Sequence, residues 1–267
     1  YILDRLPWRL ILITGVSVLI LTWMLYAPEG LLGKADAIGY AVCHRLEHRS
    51  FQIGDYQFSM CARCSGQYLG AVLGMVFLTI FRRGRSGRPP WIVIGILLVW
   101  TAFYAVDGVN SFLHLIPGTE ALWIYDPSNE LRLITGMGVG LGISIMLFPA
   151  FNQTIWKRLD YRPVLESLKD FGILVILAIL LIIIILIDNP IILYPLSLIS
   201  AGGVLMLLTM VYSMVWVMIF QKEGSFEHIR QYFFPLMAGF AVALIQILIL
   251  DIARYWLTGT WGGFPLG

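Results

Sequence analysis

Apolar residues fall into seven long blocks separated by short polar punctuation. The blocks occupy 8–26, 61–81, 91–113, 133–150, 171–187, 191–220 and 233–256. About 20 apolar residues in a helix cross the hydrocarbon core of a bilayer, so each block predicts a transmembrane helix. The fifth is an aliphatic run without a polar side chain. The sixth is longer than a bilayer requires, which predicts tilt or an end standing in the interface. Between them Asp188-Asn189-Pro190 makes the turn, because proline blocks helix continuation and the polar pair needs water. No internal repeat is visible. The chain opens on Tyr1 rather than Met, which reads as a trimmed or mature product. Block 8–26 is too long for an ordinary signal peptide and lacks its small-residue cleavage site, so it is taken as the first span. The pattern predicts an all-α integral membrane protein of about seven transmembrane helices, organised as a single polytopic domain over 1–267.

Composition agrees with the pattern. Of 267 residues, 59% are hydrophobic and only 13% charged, and the mean hydropathy is +0.82. A soluble domain keeps roughly a quarter of its residues charged, so lipid must be much of the solvent here. The net charge of +2 and the lack of a clustered basic face argue against a nucleic-acid partner. Basic residues set the orientation. With the N-terminus inside, Arg5, Arg9, Arg82, Arg83, Arg85, Arg88, Lys157, Arg158, Arg162, Lys169, Lys222 and Arg230 share the inner side, 12 of the 18 basic residues. The acids divide the other way, six inside and ten outside. N-inside and C-outside follows. In a prokaryotic cell this would be the inner (cytoplasmic) membrane, crossed several times.

The inner loops are short. Residues 84–90 form a connector, and 151–170 read as an ordinary positively charged anchor, with a surface helix around Trp156 as the alternative. Residues 27–60 and 114–132 form two substantial outer segments, and the tail 257–267 is expected to lie along the outer headgroups.

The first outer segment carries the chemistry. Cys43-His44, His48 and Cys61-Ala62-Arg63-Cys64 place all three cysteines and two of the four histidines within 22 residues. Thiolate and imidazole are the ligands that zinc and other borderline-soft metals prefer. Cys61 and Cys64 can reach one ion, and Cys43 with His44 would complete a tetrahedral Cys3His site. His48 lies one helical turn from His44 and is a substitute or supporting ligand. Cys61 and Cys64 stand at the positive end of the second helix with Arg63 between them, which favours ionised thiols. That feature suits a redox pair equally well. Metal binding, a structural or catalytic disulfide, and inert packed thiols all remain open, although an odd number of cysteines cannot pair completely within the chain.

Charged residues inside the blocks are costly and therefore candidates for function. Asp107, in the outer part of the third span, needs a partner, and Arg63 or Arg132 is nearest by topology. Asp251 and Arg254 read as a local pair three residues apart. Gly136, Gly138, Gly140 and Gly142 form a small-residue stripe for close helix packing. Gln246 is expected to make an interhelical hydrogen bond. Nine Trp and twelve Tyr fit interfacial belts before any pigment or quinone contact.

Cys43-His44, Arg49-Ser50-Phe51, Cys61-Ala62-Arg63-Cys64-Ser65-Gly66 and Gly70 together resemble an uncharacterised family of prokaryotic polytopic membrane proteins. That domain of unknown function is marked by a Cys-His and Cys-x-Arg-Cys signature. Its second signature resembles Asp107-Gly108 followed by Asn129, Arg132, Thr135 and Gly136. The resemblance covers roughly 38–147 and leaves the helices in 171–256 outside. It favours Cys43, His44, Cys61 and Cys64 over His48, whose position in the family pattern is commonly acidic. It also implies that Arg63, Asp107, Asn129 and Arg132 support the site from one pocket at the outer surface.

Two functions are weighed. The first is a non-enzymatic accessory or assembly subunit of a larger membrane complex, respiratory or photosynthetic, with other membrane-protein subunits and lipid as partners and an outer zinc site as a staple. The second is an enzyme: a thiol oxidoreductase, or a metal-dependent enzyme acting on a lipid or quinone, with Asp107 as acid or base and Arg132 as anion holder. A transporter fits less well, since no inverted repeat and no midplane charge is present. A retinal-type light sensor would need a lysine in the seventh span, and there is none.

Overall fold

The computed structural model describes residues 6–263, and the side chains from residue 10 onward. Arg5, the side chain of Arg9 and the tail residues 264–267 lie outside the described residues. Eight helices account for most of the described residues. They are α1 (Leu6–Tyr26), α2 (Gly30–Val42), α3 (Ala62–Phe81), α4 (Trp91–Leu113), α5 (Asn129–Ile155), α6 (Leu168–Leu186), α7 (Pro190–Ile219) and α8 (Ile229–Thr258). Six are long and apolar enough to cross a membrane alone. The pair α1 and α2, bent by 104° at its break, makes up to seven. The all-α membrane architecture is therefore as the pattern predicts, and α4 matches its block residue for residue.

The central packing is a glycine interlock between α3 and α5. A Cβ on Gly66 or Gly70 would lie 2.4 and 2.5 Å from the carbonyl oxygens of Leu133 and Met137. Reciprocally, a Cβ on Gly136 or Gly140 would lie 2.1 Å from those of Arg63 and Gln67. The two backbones touch with no side chain between them, as small-residue faces allow in lipid. Three of the four stripe glycines on α5 thus serve close packing, Gly136 and Gly140 against α3 and Gly138 against Trp100, while Gly142 has ordinary room. Around this pair α4, α6 and α7 close one core, which includes Leu69, Leu133, Met137, Leu141 and Leu174. A second core joins α1, α2, α7 and α8 around Trp23, Ile38, Met60, Val204 and Ile247. Tyr212 donates to Gln246 Oε1 at 2.5 Å, tying α7 to α8.

Two departures stand out. Residues 27–60, expected as an outer segment, contain α2, which is buried from Ala35 to Tyr40 and packs on α7 and α8. Its glycines, alanines, Lys34 and Asp36 keep its hydropathy low, so it reads as a loop. The connectors at the far end also pair: β3 (Arg85–Gly87) lies parallel to β4 (Asp160–Pro163). Ion pairs Arg82–Asp170 and Lys157–Glu227 gather the connectors there. This basic end and the cysteine end are opposite ends of α3.

Candidate metal centre

Cys43 closes α2 and Cys61 opens α3. Between them the chain reverses through a 3-10 turn (Glu47–Arg49) and a small hairpin, β1 (Gln52–Ile53) with β2 (Tyr56–Gln57). Two side-chain ties hold this reversal. Gln57 donates to the Arg45 carbonyl at 3.0 Å and to Ser50 Oγ at 2.9 Å, and the Ser59 backbone N–H and hydroxyl meet Ser197 Oγ on α7 at 3.1 and 2.7 Å. Cys64 follows Cys61 by three residues in the first turn of α3, so its sulfur falls on the same side.

The sulfurs of Cys43, Cys61 and Cys64 all lie within 4.8 Å of one another, and all three are free thiols. The backbone N–H groups of Arg45 and Cys61 donate to Cys43 Sγ at 3.5 and 3.3 Å. Hydrogen bonds from the Cys61 and Cys64 thiols hold the Cys43 thiol well below its ordinary range, against the effect of burial. A bound thiolate is what a metal requires.

His44 stands beside the trio. Its Nδ1 lies 3.8 Å from Cys43 Sγ, and its Nε2 is buried with no hydrogen-bond partner among the described residues. His48 is turned away, with its Nε2 accepting from Arg49 Nε at 3.3 Å, so the structure does not bring it to the thiols.

Arg254 corrects an expectation. Its hydrogen bonds do not go to Asp251, both of whose carboxylate oxygens are buried without a hydrogen-bond partner among the described residues, although the two charges still interact. The Arg254 guanidinium instead reaches across to the carbonyls of Tyr40 and Cys43, and to that of His44 at 3.0 Å. It stacks 3.9 Å over the Tyr40 ring. Unsatisfied carbonyls at the C-terminal end of α2 are strong acceptors for a cation, and they outcompete a carboxylate one turn away on the same helix. The tail after α8 completes the strap. Tyr40 Oη donates to the Thr260 carbonyl at 2.6 Å, and Arg45 Nη1 donates to that of Trp261 at 3.3 Å.

A second cluster adjoins the thiols. Of the two arginines considered for Asp107, Arg63 makes the pair, with Nε 3.0 Å from Oδ2. Tyr125 donates to Oδ1 at 2.8 Å, and Thr135 approaches Oδ2 at 3.4 Å. Arg132 Nη1 donates to Asn129 Oδ1 at 2.8 Å, and Asn129 Nδ2 donates to the His48 carbonyl at 3.3 Å. Arg63, Asp107, Asn129 and Arg132, singled out in the sequence, are therefore assembled in one place. Ser111 and Tyr125 were missed, since an isolated Ser or Tyr near a helix end carries no signal.

The model of a family described as "Predicted membrane protein (DUF2085)" matches residues 43–146. An uncharacterized protein of Methanocaldococcus jannaschii is 30% identical over 124 residues, which cover 46% of this chain and 71% of the relative. The chain belongs to this family. A second relative, an uncharacterized protein of Methanothermobacter thermautotrophicus, is 30% identical over 105 residues, covering 39% of this chain and 83% of the relative. No solved structure matches. The DUF2085 match begins on Cys43 and ends within α5, so it holds both clusters, while Arg254 and its strap lie beyond it.

Proposed function

We propose that this member of the DUF2085 family holds one zinc ion on Cys43, Cys61 and Cys64, with His44 as the fourth ligand, and that the ion staples the α2–α3 reversal to the bundle. The observation that carries this reading is the convergence of three thiols from two chain segments to within 4.8 Å. Sulfurs on a tetrahedral zinc stand about 3.8 Å apart, given Zn–S bonds of about 2.3 Å. A disulfide would use two of the three and leave the third idle. The buried, unpartnered His44 Nε2 and the nearby Nδ1 each offer a donor that a small rotation of the ring would bring to the metal. Bound there, zinc would neutralise the thiolates and supply folding free energy to a reversal with little core of its own. The cysteine end faces outward in this reading, since the basic connectors gather at the other end.

The role is that of a non-catalytic accessory or assembly subunit in a prokaryotic cell membrane. Its support is that the connectors among the described residues hold only a short helix, turns and two-stranded ribbons, with no separate folded unit between the spans. Against it stands a redox dithiol at Cys61–Cys64, favoured by the position of His44 beside the trio rather than within it. Metal analysis of the purified protein, with Cys43→Ser, Cys61→Ser and Cys64→Ser, separates the two. About one zinc per chain, lost from each variant together with thermal stability, supports the staple. A metal-free protein whose dithiol titrates reversibly refutes it. A protein that runs alone from mild detergent, with no captured partner, refutes the subunit role.

A further inference from the structure

The geometry points to an anion site at the cysteine end, built by Arg49, Arg63 and Arg132 around Ser111 and suited to a phosphoryl group. Three guanidinium groups from three elements converge on one serine of α4. Arg49 Nη2 donates to the Ser111 carbonyl at 2.7 Å. Arg63 Nη2 and Arg132 Nε reach its hydroxyl at 2.9 and 3.4 Å. Arg49 and Arg132 are 6% and 5% exposed.

A single carboxylate stands among them. Asp107 is fully used by Arg63, Tyr125 and Thr135, and neither Arg49 nor Arg132 makes an ion pair among the described residues. Burying a charge without a counterion is strongly unfavourable. Burial, then Arg132 and Arg63, lower Arg49 to about 10, so the arginines destabilise one another as the site stands. One terminal nitrogen on each (Arg49 Nη1, Arg63 Nη1 and Arg132 Nη2) has no acceptor among the described residues, yet none is among the fully buried orphan atoms. Each therefore keeps an edge open to solvent.

Arginine forks match the terminal oxygens of a tetrahedral phosphoryl group, which offers enough acceptors for three of them. A zinc ion on three thiolates would carry one negative charge, which balances only part of the excess. The inference does not rest on the metal. The site lies where α3 and α5 begin and α4 ends, the level at which phospholipid headgroups sit, so the phosphoryl group comes either from an anionic lipid or from dissolved phosphate.

The test is thermal unfolding of the full chain in phosphate-free, uncharged detergent, titrated with inorganic phosphate or with phosphatidylglycerol, and with phosphatidylcholine as reference. Arg49→Gln, Arg132→Gln, Arg132→Lys and the remote Arg158→Gln are compared. A saturable rise in melting temperature with phosphate assigns a soluble anion. A rise with phosphatidylglycerol beyond phosphatidylcholine assigns a lipid headgroup. In either case half-saturation should weaken by about tenfold or more in Arg49→Gln and Arg132→Gln, less in Arg132→Lys, and remain unchanged in Arg158→Gln. If Arg132→Gln does not fold, Arg49→Gln on its loop and Arg132→Lys carry the comparison. No response to either ligand, or equal responses in wild type and Arg49→Gln, overturns the site. A phosphate response in wild-type protein that is purified without zinc would refute the metal staple and leave the anion site standing.

Discussion

Replacing Gly140 by alanine probes a close backbone contact between α3 and α5. The new Cβ would lie 2.1 Å from the Gln67 carbonyl oxygen and 2.7 Å from the Ala71 nitrogen, where ordinary contact begins at 3.4 Å, so about 1.3 Å of room is missing. Both obstacles are helix backbone, so no rotamer change relieves them and α3 must move away from α5. A gap of about 1 Å forfeits up to half of each dispersion contact it opens, and it opens them along the whole crossing. Overpacking costs about 1–3 kcal/mol, and a clash against backbone belongs at the upper end. Alanine returns about 1 kcal/mol through helix propensity. The net expectation is a loss of about 2 kcal/mol, or roughly 4–8 °C in melting temperature at about 2–4 °C per kcal/mol. Gly136→Ala faces the Arg63 carbonyl at 2.1 Å and should behave alike. Gly142→Ala is the control, because its Cβ would meet only Leu97 Cδ2 at 3.5 Å, and it should be neutral or slightly stabilising. Thermal unfolding of all three in one detergent, followed by circular dichroism, decides the matter. If Gly140→Ala and Gly142→Ala melt within about a degree of each other, the interlock does not hold the helices and the argument is wrong.

Other expectations follow from the two clusters. Arg254→Gln should leave the bundle folded but loosen the carbonyls of Cys43 and His44, weakening zinc affinity about 10–100-fold in chelator competition; unchanged affinity would mean that the strap does not position the ligands. Asp107→Asn strands the Arg63 guanidinium and should cost about 3 kcal/mol of unfolding free energy while zinc content stays the same; loss of zinc would show that the clusters are one unit. A metal binds thiolates, so it must displace whatever protons the three sulfurs carry. Apparent zinc affinity should therefore rise with pH by about tenfold per unit or more between about pH 6.5 and 8.5. A flat profile would count against coordination by those sulfurs.

The sequence by itself determined the membrane class and the helices. Those follow from local apolar runs of bilayer length, since the solvent for each span is set by its own side chains. It also displayed the cysteines at ligand-like spacing and marked Asp107 as needing an arginine. What it did not display has one common cause, which is dependence on residues far away in the chain. Helix α2 is too short and too rich in glycine and alanine to announce itself, and its burial is decided by α7 and α8. Asp251 and Arg254 look like a pair at three-residue spacing, but the open carbonyls at the end of α2 draw Arg254 away. The glycines of α5 were visible as a stripe, yet only their facing partners Gly66 and Gly70 on α3 separate the critical Gly140 from the tolerant Gly142. Likewise Arg63 and Arg132 stand out in the sequence, but nothing along the chain signals that Arg49 joins them. Three elements have to pack before their charges meet at Ser111, and electrostatic energy depends on distance in space rather than along the sequence.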